Sequence, residues 1–459
     1  MRPVPLPELA RWLGVPEIDG AGPVLRVQTD SRAVQPGDLF VALGGERSDG
    51  HEHVADALAR GAVAALVERA VDVAIAQLRV DSCLQAIARI AKALRGERTT
   101  RVLALTGSNG KTSVKSLVHA MLARGASCHV SAGNRNNELG MPLALIEQAE
   151  DADFAVYEMG AGQPGDIDYL AAIARPHVAL VNNIGPAHLE RMGSLFGVAH
   201  TKGAIYDHLE PGGIAVVNAD DAFAPWFAQH ARQTGRAVLR FAVDASADVF
   251  PRGLRTDASG ADFTLVTPWG EAVVRLGWAG EHNVRNALAA AAMAGAAGAA
   301  LADVVDVLQA PPQVAGRLAR RPRRDGGDVI DDSYNANPAS TAAAIAMLAQ
   351  SPAARRWLVL GDMRELGPEA AAMHAAAGRS AAAAGIDVLW GTGPLSAHAV
   401  EAFGAGGRWF DQQAALIDAL GDALRPSDLV LVKGSRGSRM DRVVDALIGQ
   451  TQGEVEHAA

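Results

Sequence analysis

Short apolar runs that end in polar or glycine-rich turns recur along the chain, most of them followed by apolar residues at helical spacing. The sharpest is RVLALT (101–106), which reads as a buried parallel strand. After GSNGKTS, the residues Val114, Leu117, Val118, Met121 and Leu122 predict a helix with Gly125 as its C-cap. FAVYEMG (154–160), HVALVNNIG (177–185) and GGIAVVNADD (212–221) repeat the strand pattern. Residues 237–278 alternate like antiparallel strands with turns expected at Pro251, Gly260 and Gly270, and GEHNVRNALAAAAMAG (280–295) opens a helix. The alternation predicts, over 99–313, a central domain built on a parallel sheet with helices on both faces.

The flanking stretches differ from this centre. Residues 1–98 read as a small α+β domain, in which VLRVQTDSRAVQPGDLFVAL gives strands broken at Pro36-Gly37. A polar glycine loop (44–50), a helix, a strand and a helix over Ala86–Arg95 follow. Residues 314–459 read as a doubly wound α/β domain, with strands in GGDVIDDSYNANPAS (326–340), RRWLVLGDMRELG (355–367), DVLWGTG (387–393) and DLVLVKGSRGSRMD (428–441). The tail 449–459 should fray. The expectation is an α/β protein of three domains.

Composition narrows the partners. With 459 residues, 49% of them apolar, the chain can bury large cores. A net charge of −9 without a basic stripe argues against nucleic acid as the main partner. Cys83 and Cys128 have no metal spacing and read as buried thiols of a reducing compartment. MRPVPLPELARWLG lacks a signal peptide's apolar core, and the run 286–302 is too weakly hydrophobic for a membrane span. A soluble cytoplasmic protein is expected.

The strand, glycine loop and helix of 101–125 together make a phosphate cradle. Gly107 and Gly110 let the backbone approach a phosphate, N–H groups at 107–113 face it, Lys111 adds a mobile charge, and the Thr112 hydroxyl suits Mg²⁺. Leu105 stands where the commoner phosphate-loop pattern has its first glycine, so this loop is tighter. On this stretch ATP and GTP remain equal alternatives. Glu158 and His188 follow strands of the same sheet, where ligands bind beyond the strand ends. Glu158 reads either as a carboxylate for Mg²⁺ or as a polar strand terminus, and His188 either as a ligand or as a loop histidine. Lys202 admits a snorkelling lysine. Ser31 and Arg32 suit ligand contacts and turn chemistry equally.

TGSNGKT, YEMGA, NNIGPAHLE, Lys202-Gly203, GEHNVRNALAA, GRL (316–318) and DDSYNANP occur in the order seen in the Mur ligases, which the chain resembles over essentially its whole length. These are ATP-dependent amide-bond ligases of bacterial cell-wall synthesis. NRNNELGMPLAL, LGDMRELG and LVKGSRGSRMD resemble the member that adds a D-alanyl-D-alanine dipeptide to a UDP-N-acetylmuramoyl-tripeptide; the Asp-Asn-Pro-Arg motif of the diamino-acid-adding member is absent. The resemblance implies that Gly107, Ser108, Asn109, Gly110, Lys111, Thr112 and Ser113 bind ATP phosphates and that Asn286 reaches adenine. It implies that Arg317 and Asp332 touch phosphate and ribose, that Thr112 and Glu158 hold one Mg²⁺ and that His188 holds a second. Lys202 would be carboxylated by CO₂ to a carbamate supporting Mg²⁺, although Ala204 stands where the family often has Glu. Lys111, Glu158, His188 and Lys202 would then carry catalysis, and Ser31, Arg32 and Asn137 would hold the UDP-sugar. The implied partners are small molecules acting on a monomer, with hinges near 98 and 313. The diamino-acid-adding ligase, folylpolyglutamate synthase, a simple phosphate-loop NTPase and a non-catalytic nucleotide-gated binder are the rival readings.

Overall fold

The computed structural model describes residues 1–18, 22–45, 48–186 and 188–449. The frayed-tail expectation for 450–459, Glu46 and Arg47 of the glycine loop, and Ala187 of NNIGPAHLE lie outside the described residues. The central sheet has six parallel strands in the spatial order Ala237–Phe241, Ile214–Asn218, Val178–Val181, Arg101–Thr106, Phe154–Glu158, Cys128–Val130. Strand Arg101–Thr106 is buried from Val102 onwards, as a strand covered on both faces must be. The chain leaves it first to one side (Phe154–Glu158) and later to the other (Val178–Val181), so the order reverses at its C-terminal end. Such a switch point opens a crevice for ligands. Helices Lys111–Leu122 and Glu281–Ala296 cover one face, the latter buried along nearly its whole length.

A second, N-terminal sheet is four-stranded and parallel: Arg26–Gln28, Asp38–Val41, Ala64–Val67, Ala76–Arg79. The C-terminal sheet runs Ala319–Pro322, Asp328–Asp332, Asp428–Lys433, Arg355–Leu360, Val388–Thr392, Gly407–Phe410. Its first strand is an antiparallel edge, which the arginine-rich sequence RLARRPRRD conceals.

Several local expectations need correction. Helix Lys111–Leu122 ends at Ala123 in right-handed backbone, and Gly125 is not left-handed, so it is no C-cap. Strand Ala237–Phe241 joins the parallel sheet beside Ile214–Asn218, because its apolar residues pack there. The antiparallel part is only Phe250–Asp257, Gly260–Thr267 and Gly270–Leu276, with Pro251 inside an edge strand, where its missing N–H costs no ladder bond. Cys83 is fully buried, but Cys128 only half so.

The junction near 98 is not a free hinge. Helix Cys83–Glu97 belongs to one continuous apolar core that runs from Val4 through Leu94 to Met141–Ile146 and Leu170. Buried Arg95 donates to the carbonyls of Ala174 (2.7 Å) and Arg175 (2.9 Å), and buried Arg98 to those of Leu145 (2.6 Å) and Gln148 (2.9 Å). A guanidinium out of water needs such partners, so these residues bolt the N-terminal sheet to the central one.

Candidate active site

The phosphate loop leaves strand Arg101–Thr106 and turns into helix Lys111–Leu122 through two glycines that nothing else could replace. Gly107 has φ +155°, and a Cβ there would lie 3.0 Å from the Asn182 side chain. Gly110 has φ +78°, and a Cβ there would come within 2.2 Å of Asn286 Oδ1. With Gly110 at the N-cap, no side chain occupies the helix's first N–H groups, which leaves them for an anion. Two asparagines brace the loop at the Asn109 backbone: Asn183 Oδ1 accepts from Asn109 N (2.8 Å), and Asn182 and Asn183 both donate to Asn109 O (2.9 and 3.1 Å). Ser108 exchanges hydrogen bonds with the Gly185 backbone.

The loop divides two cavities. The larger, about 700 Å³, is lined by Ser108, Lys111, Asn136, Asn137, Glu158 and His188 on one side and by Tyr334, Arg364, Glu365, Ser435 and Arg436 of the C-terminal unit on the other. The smaller, about 280 Å³, is lined by Asn109, Gly110, Ser113, His282 and Asn286, and opposite them by Arg317, Asp332 and Lys433. Both linings are rich in polar side chains, and the smaller cavity adds an apolar strip of Ile184, Leu318, Ala339, Ala343 and Ala344.

Glu158 ends its strand 3% exposed. Its Oε2 accepts from Thr112 Oγ1 (3.0 Å) and its Oε1 from Asn136 Nδ2 (2.8 Å); Lys115 Nζ is 3.6 Å from Oε2. Burial pushes its pKa up, but Lys111, Lys115, the Asn136 amide and Arg317 outweigh that and hold it below the ordinary glutamate value. It is therefore an anion at neutral pH. Lys111 reaches back to Gly107 O (2.8 Å), and burial lowers its pKa. Arg317 Nη2 approaches Thr112 Oγ1 (3.5 Å), its guanidinium lies over the Tyr334 ring at 4.3 Å, and its Nε is buried without a partner among the described residues. An orphaned donor beside an empty-capped helix start is what a phosphate would satisfy.

Lys202 is buried and lines neither cavity. Helix Leu195–Gly203 buries it to 1% exposure, and its ammonium has no hydrogen-bond or ion-pair partner among the described residues. Burial, aided by Lys111, drives its pKa well below the ordinary lysine value. His188 sits in left-handed backbone (φ 54°), and its Nδ1 lies 2.5 Å from Glu365 Oε2 of the C-terminal unit. Burial lowers its pKa against the pull of Glu365.

Most of the residues expected from the sequence come together at these two cavities. Asn286 is buried between Asn182 (3.1 Å) and Asn283 (3.3 Å). Asp332 is held by Lys433 Nζ at 2.5 Å, and burial raises its pKa. Asn137 caps the turn into helix Gly140–Glu147 by accepting from Gly140 N (2.8 Å). Ser31 and Arg32 line neither cavity; they form a short turn capped by Asp30, which Arg32 holds down at a pKa of about 2. Sequence reasoning missed Lys115, Tyr334, Arg364, Glu365, Asn337 and Arg436 as site residues. The signal for Lys115 was its place one helical turn beyond Lys111, and for the others their place in polar strand-end turns.

Among the described residues no cluster of three or more His, Cys, Asp or Glu makes a ready metal cage. Mg²⁺ needs none: it keeps waters and takes one or two protein oxygens plus phosphate oxygens. Thr112 and Glu158, already in contact, offer that partial set beside the anion cradle.

The Mur ligase catalytic domain model matches residues 24–102, the Mur ligase middle domain 105–294, and the Mur ligase glutamate ligase domain 316–436. The chain belongs to the Mur ligase family. As a Mur ligase it is an ATP-dependent amide-forming ligase. It is 41% identical to the UDP-N-acetylmuramoyl-tripeptide–D-alanyl-D-alanine ligase of Escherichia coli K12, over 94% of this chain and 95% of that one. It is 38% identical to the enzyme of the same name from Mycobacterium tuberculosis H37Rv, over 92% of each chain. A crystal structure of MurF from Acinetobacter baumannii superposes with a TM-score of 0.89 at 35% identity, over 98% of this Mur ligase and 100% of that chain. MurF from Thermotoga maritima, solved with ADP, gives 0.82 at 28% identity, over 93% and 97%. A structure of folylpolyglutamate synthase, at 20% identity, shares the fold over 80% of this chain. No helix among the described residues is long and apolar enough to cross a membrane.

Proposed function

We propose that this Mur ligase joins D-alanyl-D-alanine to UDP-N-acetylmuramoyl-tripeptide with ATP, through an acyl phosphate, releasing ADP and phosphate. The observation that carries the reading is the larger cleft. Phosphate loop, Glu158 and His188 supply one wall, and the cations Arg364 and Arg436, for which no carboxylate partner is found among the described residues, face them from the C-terminal unit. The dipeptide ends on a carboxylate, and two arginines suit that group. The high identity to relatives of that name supports the same choice over the diamino-acid-adding member, whose structure is 21% identical.

The steps follow from the residues. A carboxylate is a poor electrophile for an amine; taking the γ-phosphoryl group makes it an acyl phosphate with ADP leaving. Lys111, Arg317 and the helix N–H groups stabilise charge on the transferring group. Thr112 and Glu158 would hold Mg²⁺, which would supply Lewis-acid neutralisation of charge on the phosphate oxygens, and His188 would hold a second ion. The dipeptide amine then attacks the acyl carbon and phosphate leaves. Burial disfavours the ammonium form of Lys202 and so favours the free amine that attacks CO₂; as a carbamate it would give the site a further anion. Asn286 and His282 face the base, and Asp332 the ribose. The N-terminal unit, with Ser31 and Arg32, holds the UDP end of the acceptor, and Asn137 its peptide side. Residues 99–313 are the ATP-binding unit and 314–459 the unit that brings the dipeptide. The reaction needs a soluble, cytoplasmic monomer and no membrane or nucleic acid.

Phosphate release from ATP and Mg²⁺ tests the proposal, measured with the UDP-tripeptide, with and without the dipeptide, in wild type and Lys111→Ala. Release that needs both substrates and vanishes in the variant is expected. Release with a free diamino acid instead of the dipeptide overturns the substrate assignment, and release that ignores both leaves an NTPase.

A further inference from the structure

Lys115 is a buried ion that the mechanism above does not use. It lies one helical turn beyond Lys111 and is 4% exposed, yet it lines neither cavity. Lysine in such a place is costly unless each donor of its ammonium finds a partner. It finds three. Nζ donates to Ser131 O (3.0 Å) and Gly133 O (2.9 Å), and the third direction meets Glu158 Oε2 at 3.6 Å. The two carbonyls belong to the segment that follows strand Cys128–Val130 and leads to Asn136 and Asn137 in the larger cleft.

That segment returns to the same carboxylate from the front. Asn136 Nδ2 donates to Glu158 Oε1, and Asn136 O accepts from Gly160 N (2.8 Å), just past the strand end. At Gly160 a Cβ would lie 2.8 Å from Asn136 Oδ1 and 3.3 Å from its carbonyl oxygen, so the missing side chain is what lets Asn136 pack this closely. Lys115 from behind and Asn136 in front therefore close a ring: helix, loop, carboxylate, strand. A methionine could fill the volume of Lys115 but could hold neither the carbonyls nor the carboxylate.

We propose that Lys115 is a positioning residue, which fixes the 131–137 loop and the Glu158 carboxylate in a single arrangement and thereby sets affinity for the acceptor at the loop's exposed face. The inference rests on the acceptor reading of that cleft given above. Removing a charged hydrogen-bond donor from a buried site is worth about tenfold or more in an equilibrium that depends on it.

The test compares wild type, Lys115→Met, Lys115→Arg and Asn136→Ala, measuring calorimetric Kd for the UDP-tripeptide, KM for each substrate, and Tm. Lys115→Met should raise the acceptor Kd and KM about tenfold, with KM for the dipeptide unmoved. Lys115→Arg should recover most of the loss. Asn136→Ala should raise the same Kd, and the double variant should fall short of the product of the single effects, since both cut one ring. An unchanged acceptor Kd in folded Lys115→Met overturns the proposal; where that variant does not fold, an unchanged Kd in Asn136→Ala does so. Wild-type protein that binds the acceptor but releases no phosphate with the dipeptide overturns the proposed function and leaves the Kd comparison standing.

Discussion

Asn337 of the C-terminal unit donates from Nδ2 to Asn109 Oδ1 in the phosphate loop, at 2.7 Å. The same side chain caps helix Pro338–Gln350 in a reciprocal capping box with Ser340. One residue thus starts a helix of one unit and touches the nucleotide loop of another. Asn109→Ala removes only the contact, whereas Asn337→Ala removes the cap as well, worth about 1 kcal/mol. Both should lower kcat/KM about three- to tenfold, the range of one neutral hydrogen bond, and only Asn337→Ala should lower Tm.

Thr112 and Glu158 should set the Mg²⁺ requirement. Glu158→Gln keeps the shape of the side chain and removes its charge. It should cost about 100-fold in turnover, with the Mg²⁺ concentration for half-activity raised and ATP binding in EDTA retained. A Mg²⁺ titration of phosphate release together with nucleotide calorimetry distinguishes the two effects.

Lys202, whose ammonium form burial disfavours, should take up CO₂. In ¹³C-bicarbonate, wild-type protein should show a carbamate carbon signal that Lys202→Arg lacks, and activity should fall in degassed buffer and return with bicarbonate. A wild-type spectrum without that signal would remove the carbamate from the mechanism.

His282, in the nucleoside pocket, has its pKa lowered to about 4 by burial, Lys433 and Arg285. The unfolded chain titrates this group near 6.5. Between these values the unfolded state binds the extra proton, so stability is complete above pH ~6.5 and declines as pH falls toward 4. The slope from this one group approaches about 1.4 kcal/mol per pH unit at most. Urea midpoints taken from pH 7 to pH 4.5 should fall more steeply in wild type than in His282→Gln.

Gly437 lies beneath Arg364: a Cβ there would come within 2.4 Å of Arg364 Nη1. Gly437→Ala should therefore push the guanidinium aside, a cheap movement of a flexible side chain. KM for the dipeptide should rise about tenfold, with KM for ATP and Tm unaltered. Arg436→Ala should behave likewise, and would also release the face of Tyr334, over which Arg436 lies at 5.2 Å.

The phosphate loop was readable because strand, glycines, Lys111 and helix are consecutive in sequence, so local spacing carries the whole device. Glu158 was readable from its place at the end of an apolar run. Glu365 and Lys115 were not: one meets His188 and the other Glu158 across long separations, and no periodicity encodes such pairs. The antiparallel edge Ala319–Pro322 was hidden by charge, since an edge strand needs little apolar surface. The supposed hinge at 98 failed for a related reason. Nothing in the local sequence marks Arg95 and Arg98 as buried, and only the carbonyls they reach reveal them as interior bolts.

That bolted junction has a kinetic meaning. On the proposed assignment of acceptor to the N-terminal unit and ATP to the central one, the two would form a single stator, and the sugar nucleotide and ATP would need no large rearrangement to meet. Wide motion would then fall to the remaining unit, a lone jaw swinging on the stretch near 313 and carrying the amine. Turnover should then be ordered, with the dipeptide entering last and the jaw's reopening governing exit of the product. Small-angle scattering should register one compaction step, with ATP analogue and both substrates present, and none should arise from the N-terminal side.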